Sequence, residues 1–251
     1  MTDVLLQVEG VSKRFGGLLA VDKASFTAER GAITALIGPN GAGKTTLFSI
    51  VSGFQPPSEG RILYDGADIT GEPPHRLARR GIARTFQIVQ PFAGLSVREN
   101  IAVGSHLTHP RRADALAAAG EIAQTVGLAP QLDKSAASLT VAGRKRLELA
   151  RALAIGPRLL LLDEVLAGLN PSEVRDMLPV IRAIADRGVT IVMIEHVMQA
   201  VMSLAAQVFV LSEGRVIAQG SLQDVAGDAK VIEAYLGHGA ATRMRAGAGH
   251  G

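Results

Sequence analysis

Apolar and polar positions change period several times along the chain, and each change predicts a different element. Residues 5–11 alternate apolar and polar side chains, which predicts an edge or half-buried strand. Phe15-Gly16-Gly17 reads as a turn, residues 21–29 as a second strand, and Arg30-Gly31 as its close. Residues 33–37 are a continuous apolar run, as in a strand buried on both faces, and residues 47–51 lead out as a helix. Residues 53–60, with Pro56-Pro57 inside, end that helix, and residues 61–68 predict a short strand and hairpin. This opening is strand-rich, and we expect it to be antiparallel around the strand at 33–37.

From about residue 89 to 157 strand signals thin out. Helical spacing and many alanines mark residues 95–106 and 113–126, and residues 144–155 read as another helix, so we expect a helical subdomain here. Strands then alternate with helices: an apolar run at 159–162, an amphipathic helix at 171–185, a buried strand at 189–194, a strand pair at 208–211 and 216–220, and a short helix at 231–236. That order predicts an α/β protein with a mostly parallel core sheet, an N-terminal antiparallel β-subdomain and an inserted helical subdomain. Glu195, His196 and Gln199 interrupt residues 189–211, so that stretch reads as strand, helix, strand, with a transmembrane span as the lesser alternative. We expect one unit over 1–238 and a disordered Gly/Ala-rich tail over 239–251.

Composition removes several classes. There is no cysteine, which excludes disulfides, thiolate metal sites and cysteine nucleophiles. Residues 1–10 carry acids and lack a long apolar core, so no signal peptide is expected. The formal charge is +3, and Arg79-Arg80, Arg111-Arg112 and Arg144-Lys145-Arg146 are basic clusters. Aromatic residues, at 4 %, are too few to interleave with them, so we read solvated helix faces rather than a nucleic-acid surface.

The chemistry centres on Gly38-Pro39-Asn40-Gly41-Ala42-Gly43-Lys44-Thr45-Thr46, between the strand at 33–37 and the helix after it. It fits the pattern Gly, four residues, Gly, Lys, Ser/Thr. Glycines let successive backbone N–H groups curl around one anion, and the helix N-terminus adds its positive dipole end. Lys44 supplies a charge to β- and γ-phosphates, and Thr45 a hydroxyl to Mg²⁺. Such a loop needs acidic partners. Asp163-Glu164 closes an apolar strand, where the first carboxylate is expected to hold Mg²⁺ and the second to polarise an attacking water. His196 also ends an apolar strand, as a ligand-facing or merely capping histidine. Gln87 stands at the start of the helical region, as a linker residue or a γ-phosphate sensor.

Order and spacing together resemble the ATP-binding subunits of ABC transporters across residues 4–237. The resemblance makes residues 38–45 the Walker A motif, 159–164 Walker B, Gln87 the Q-loop glutamine and His196 the switch histidine. It implies ATP and Mg²⁺ as cofactors, with Thr45, Gln87 and Asp163 at the metal. Glu164, His196 and Gln87 become the catalytic set. The nucleotide set comprises Phe15 (stacked on adenine), Val21, Gly38, Asn40, Gly41, Ala42, Gly43, Lys44, Thr45, Thr46 and, from a second subunit, Thr140 and Ala142. Phe15-Gly16-Gly17 with Ala20-Val21-Asp22, Ala83-Arg84-Thr85-Phe86-Gln87, Ala167-Gly168-Leu169-Asn170-Pro171 and the segment 231–237 are similar to one branch, the branched-chain amino acid, urea and amide uptake ATPases.

That likeness implies an import ATPase docked head to tail with a second ATP-binding subunit. Two membrane permeases would sit above it at the cytoplasmic face of the inner membrane, served by a solute-binding protein. The surface near Gln90-Pro91-Phe92 would receive a permease helix, unless it is a plain turn. Leu139-Thr140-Val141-Ala142-Gly143 departs from the family's Leu-Ser-Gly-Gly-Gln: Thr140 keeps a hydroxyl, and Ala142 puts a methyl at a close-approach position, unless Gly143 serves after a one-residue shift. Val165 and Val197 replace a common proline and aspartate. Two other readings are a regulatory nucleotide-binding subunit with impaired hydrolysis and a nucleic-acid-associated ATPase.

Overall fold

The computed structural model describes residues 3–87 and 90–236. Its first part runs β1 (Val4–Phe15), β2 (Leu18–Glu29), β3 (Ile33–Ile37), α1 (Lys44–Val51), β4 (Glu59–Tyr64) and β5 (Ala67–Asp68). Next come α2 (Pro74–Arg79), β6 (Ile82–Arg84), α3 (Val97–Ser105), α4 (Arg112–Thr125) and α5 (Val141–Leu153). The last part is β7 (Leu159–Asp163), α6 (Pro171–Asp186), β8 (Thr190–Ile194), α7 (Met198–Leu204), β9 (Gln207–Ser212), β10 (Arg215–Gly220), α8 (Leu222–Ala226) and α9 (Ala229–Leu236). The tail expected over 239–251 and the boundary at residue 89 lie outside the described residues.

Two sheets form. One is antiparallel in the order β2-β1-β4-β5; the other has six strands in the order β10-β9-β3-β8-β7-β6, parallel except for β10. Of the two readings open for residues 5–11, the half-buried one holds, since β1 pairs on both sides and is not an edge. One sequence expectation changes. β3 belongs to the parallel sheet, not to the antiparallel opening. Its all-apolar sequence requires that, because both faces of a parallel sheet are covered.

Alternation along the parallel strands divides the core. Ile33, Ala35, Ile37, Leu160, Leu162, Ile191 and Met193 turn to one side, against α5, α6 and α7. Leu36, Leu159, Leu161, Val192, Ile194 and Phe209 turn to the other, against α1 and the antiparallel sheet. Helix α1 is therefore clamped between two sheets, with Leu47 and Phe48 fully buried. Truncating a fully buried Phe such as Phe48 typically costs about 3–5 kcal/mol. Residues 95–153 carry the helices foreseen for the helical region. Ala115, Ala119 and Ala123 form the buried face of α4, where small side chains let helices approach closely.

Helix α5 begins at Val141, not near Arg144 as the sequence suggested, because Thr140 caps it: the Thr140 hydroxyl accepts from Gly143 N at 3.1 Å. The strand–helix–strand reading of 189–211 holds as β8, α7 and β9, and no helix among the described residues is long and apolar enough to cross a membrane. The expectations missed α2, β6 and α8, which are too short to show a period.

Candidate functional site

The loop between β3 and α1 rims an open cavity of about 1020 Å³, lined also by Phe15, Gln87, Glu164, His196 and Gly214. That is at the upper end of the range for small-molecule sites. Two of its glycines are demanded by packing rather than by curl alone. A Cβ on Gly43, at φ 98°, would stand 2.4 Å from the Ala20 carbonyl oxygen. A Cβ on Gly38 would stand 2.0 Å from the Leu211 carbonyl oxygen. β2 and the end of β9 thus brace the loop, and in the β9–β10 turn Gly214 N donates to Ala42 O at 3.0 Å. Lys44 is 6 % exposed and donates to Gly38 O at 2.8 Å and Pro39 O at 2.9 Å. Burial holds its ammonium below the usual lysine range, opposed by the Glu164 and Asp163 charges.

Glu164 follows β7 with its backbone at φ 49°, a left-handed conformation costing a non-glycine residue about 1–3 kcal/mol. Its carboxylate is held from both sides. Gln87 Nε2 donates to Oε2 at 2.6 Å, and His196 Nε2 lies 2.7 Å from Oε1. These partners come from the loops after β6 and β8, so three strand ends converge on one carboxylate. Of the two readings left open for Gln87 and for His196, the geometry gives each a side-chain partner in the cavity.

Two residues that sequence reading passed over support this arrangement. Lys145 was read as part of a solvated basic face, and that is corrected: it is 7 % exposed, and its ammonium donates to Gln87 O at 3.3 Å and Glu164 O at 3.1 Å. Burial holds its pKa below the usual lysine range. Its neighbours are also engaged, Arg144 with Leu139 O and Arg146 with Val126 O. One signal was present: Lys145 shares an i, i+4, i+7 face with Leu149 and Ala152, which the sequence shows to be apolar. Glu195, 1 % exposed, accepts from Leu166 N at 3.0 Å and so fixes the loop after Glu164; burial pushes its carboxyl up to about 7.

The remaining expected residues divide. Asn40, Gly41, Ala42, Gly43, Lys44, Thr45 and Thr46 line the cavity, and so does Phe15, with Lys13 Nζ 5.3 Å from its ring centroid. Val21 does not: it is fully buried between the sheets, and Leu18, Leu19 and Ala20 form that wall instead. Thr140 and Ala142 lie on α5, away from this cavity. Gly143 is buried in the α5 first turn and its N–H is taken by Thr140, so it does not stand in as an exposed close-approach glycine. Asn170 caps α6, accepting from Ser172 N and Glu173 N.

Thr45, Gln87 and Asp163 share a second cavity of about 510 Å³. Asp163 Oδ1 is buried without a hydrogen-bond partner, while Oδ2 accepts from Arg84. An orphaned carboxylate oxygen beside a hydroxyl and an amide oxygen is an all-oxygen donor set. It suits a hard cation that keeps much of its water, as Mg²⁺ does. No group of three or more His, Cys, Asp or Glu is gathered anywhere among the described residues, as a dedicated protein cage would need.

A family model described as ABC transporter matches residues 21–167, and one described as branched-chain amino acid ATP-binding cassette transporter matches residues 215–241. The chain is 38 % identical to the high-affinity branched-chain amino acid transport ATP-binding protein BraF of Pseudomonas aeruginosa, covering 94 % of this chain and 99 % of BraF. The identity and coverage are the same for LivG of Escherichia coli K12, which carries the same description. Among solved structures, an ATP-binding cassette of an ABC transporter in its ADP conformation superposes with a TM-score of 0.86 at 31 % identity, over 94 % of this chain and 100 % of that one.

Proposed function

The chain belongs to the ABC transporter family, and from that premise we propose that it is the ATP-hydrolysing subunit that energises an importer of branched-chain amino acids or related small amino and amide solutes. The solute class is carried by the relatives' names and by the second family model over residues 215–241. Residues 1–238 act as one nucleotide-binding unit, with the helices of 95–153 as its inserted subdomain. It docks with a second ATP-binding subunit and with two permeases at the cytoplasmic face of the membrane, and a solute-binding protein delivers cargo to them.

The mechanism follows from the residues. The amides of 41–45 and the Lys44 ammonium hold the β- and γ-phosphates, and Phe15 offers its ring to the base. Thr45, Asp163 and Gln87 hold Mg²⁺, which supplies charge neutralisation at the phosphate oxygens when bound. Glu164 orients a water and accepts its proton as the water oxygen bonds to the γ-phosphorus. The bond from that phosphorus to the β–γ bridging oxygen breaks, leaving ADP and inorganic phosphate. Gln87 and His196 keep the Glu164 carboxylate aimed, and His196 can turn to the γ-phosphate. Thr140 and Ala142 at the start of α5 face the nucleotide of the partner subunit.

The observation that carries this reading is the placement of Glu164, bonded by Gln87 and His196, in the same cavity wall as Lys44. Neither the regulatory reading nor the nucleic-acid reading has an observation that favours it. The test is MgATP turnover by the chain with its permeases, beside Glu164→Gln. Loss of a general base predicts a drop of about 10²–10⁴-fold. Equal turnover by the two proteins refutes the role of Glu164.

Half-exposed Phe54, Phe86 and Val103 line a groove between the sheets and the helical region. Phe92 stands nearby under Arg151, which lies 4.9 Å from its ring centroid and donates to Gln90 O. Asn100, fully buried, bonds both N and O of Phe92 and fixes that loop. This is the surface we assign to the permease helix.

A further inference from the structure

Three of the four residues from the last position of β6 onward, Arg84, Thr85 and Gln87, grip the two acids at the end of β7. Arg84 Nη2 donates to Asp163 Oδ2 at 2.8 Å, and Thr85 Oγ1 accepts from Asp163 N at 3.0 Å. Phe86 turns outward into the groove, and Gln87 reaches Glu164. The Arg84–Asp163 pair is nearly closed to solvent, with side-chain exposures of 8 % and 2 %.

A buried ion pair is weak evidence for stability, since apolar replacements of the same shape often serve as well. Its surroundings point elsewhere. The other guanidinium arm, Nη1, donates to Ser49 Oγ and Ser52 Oγ, both at 3.1 Å, on the helix that begins with Lys44 and Thr45. The guanidinium also lies against three aromatic rings, 5.4 Å from the Phe86 centroid, 5.9 Å from Phe54 and 6.0 Å from Phe48. Phe54 and Phe86 meet edge to face and are half exposed in the groove, while Phe48 is core. One side chain thus joins the P-loop helix, the exposed aromatic pair and the carboxylate whose second oxygen has no partner.

We propose that Arg84 is the positioning residue of Asp163. One guanidinium arm engages Oδ2 while the other is tied to Ser49 and Ser52, so that oxygen is held toward α1. That leaves Oδ1, which has no hydrogen-bond partner, for a cation that Asp163 would hold in the cavity it shares with Thr45 and Gln87. Because the fork is seated on Phe54 and Phe86, whatever presses on that groove also sets the carboxylate. Lysine is not an equivalent residue here, since a single ammonium can neither stack as a plane nor bond α1 and β7 together in fork geometry. This rests on the reading of Asp163 as a metal-holding residue of an ATP site.

The test separates nucleotide from metal. ATP affinity is measured by calorimetry in excess EDTA and in excess Mg²⁺, in a Glu164→Gln background that keeps ATP intact, and the ratio of the two is the metal-dependent gain. Outer-sphere partners of metal ligands typically contribute 10–100-fold to metal affinity. Arg84→Lys is therefore expected to lower the gain about tenfold, with the EDTA affinity within about twofold of the parent. Phe86→Leu keeps the ion pair and loosens its seat; a smaller loss of gain, about threefold, is expected. An unchanged gain in Arg84→Lys, or an equal loss with and without metal, overturns the positioning role. If Arg84→Lys does not fold, Phe86→Leu decides: an unchanged gain overturns the link to the groove and a reduced gain supports it. A parent protein with no metal-dependent gain overturns the metal reading of Asp163 itself, and this inference with it.

Discussion

Two helix N-termini matter to this protein, and they are built differently. Helix α1 starts behind Gly43, which is left-handed and offers no side-chain cap. Helix α5 starts behind Thr140, whose hydroxyl already satisfies the Gly143 amide. The first turn of α1 therefore leaves its N–H groups to the cavity, and that of α5 keeps one for itself. Neither first turn contains an acid, whereas α3, α6 and α8 carry Glu99, Glu173 and Asp224 in complete capping boxes. An acidic capping box fills the positive end of a helix from within. A glycine cap leaves that end to an external anion.

The comparison can be broken most directly at its glycines. Gly43→Ala forces a Cβ toward the Ala20 carbonyl at positive φ, and should cost about 3 kcal/mol or more of stability in urea unfolding. Gly143→Ala sits in an ordinary helical turn, where its Cβ would meet Leu139 side-chain atoms at 3.3 Å, and should change stability by less than about 1 kcal/mol. Equal losses at the two positions would erase the distinction between the loops. Next in size, Lys44→Ala should weaken ATP binding about 100-fold, because a charge-assisted contact is lost. Unchanged affinity in equilibrium dialysis would refute the phosphate cradle. The smallest effect is expected at α5. If the Ala142 methyl hinders close approach, Ala142→Gly should raise ATP-dependent association about threefold in light scattering. No change, or a decrease, would show that the methyl is not an obstacle.

Much of the site was legible before any coordinates. Residues 38–46, Asp163 and Glu164 announce themselves because each lies at the end of a continuous apolar strand, a local pattern. What was not legible depends on partners distant in sequence. Arg84 reaches Asp163 across 79 positions, and Glu195 holds Leu166 across 29. Lys145 looked like one cation in a basic run, yet it is buried between two backbone carbonyls. Val21 erred in the opposite direction: its place in a motif suggested the nucleotide wall, while strand alternation turned it inward and gave the wall to Ala20.

The sequence by itself determined the strand–loop–helix cradle, the acids that answer it and the continuous apolar runs that demand a covered parallel sheet. Those depend on residue type and on spacings shorter than one element. Tertiary structure alone decided that β3 sits inside the parallel sheet, between β9 and β8. It also decided that Arg84, Thr85 and Gln87 grip both acids at once. The physical reason is that β6 is only three residues long and is positioned by its pairing with β7, a contact that no local period encodes.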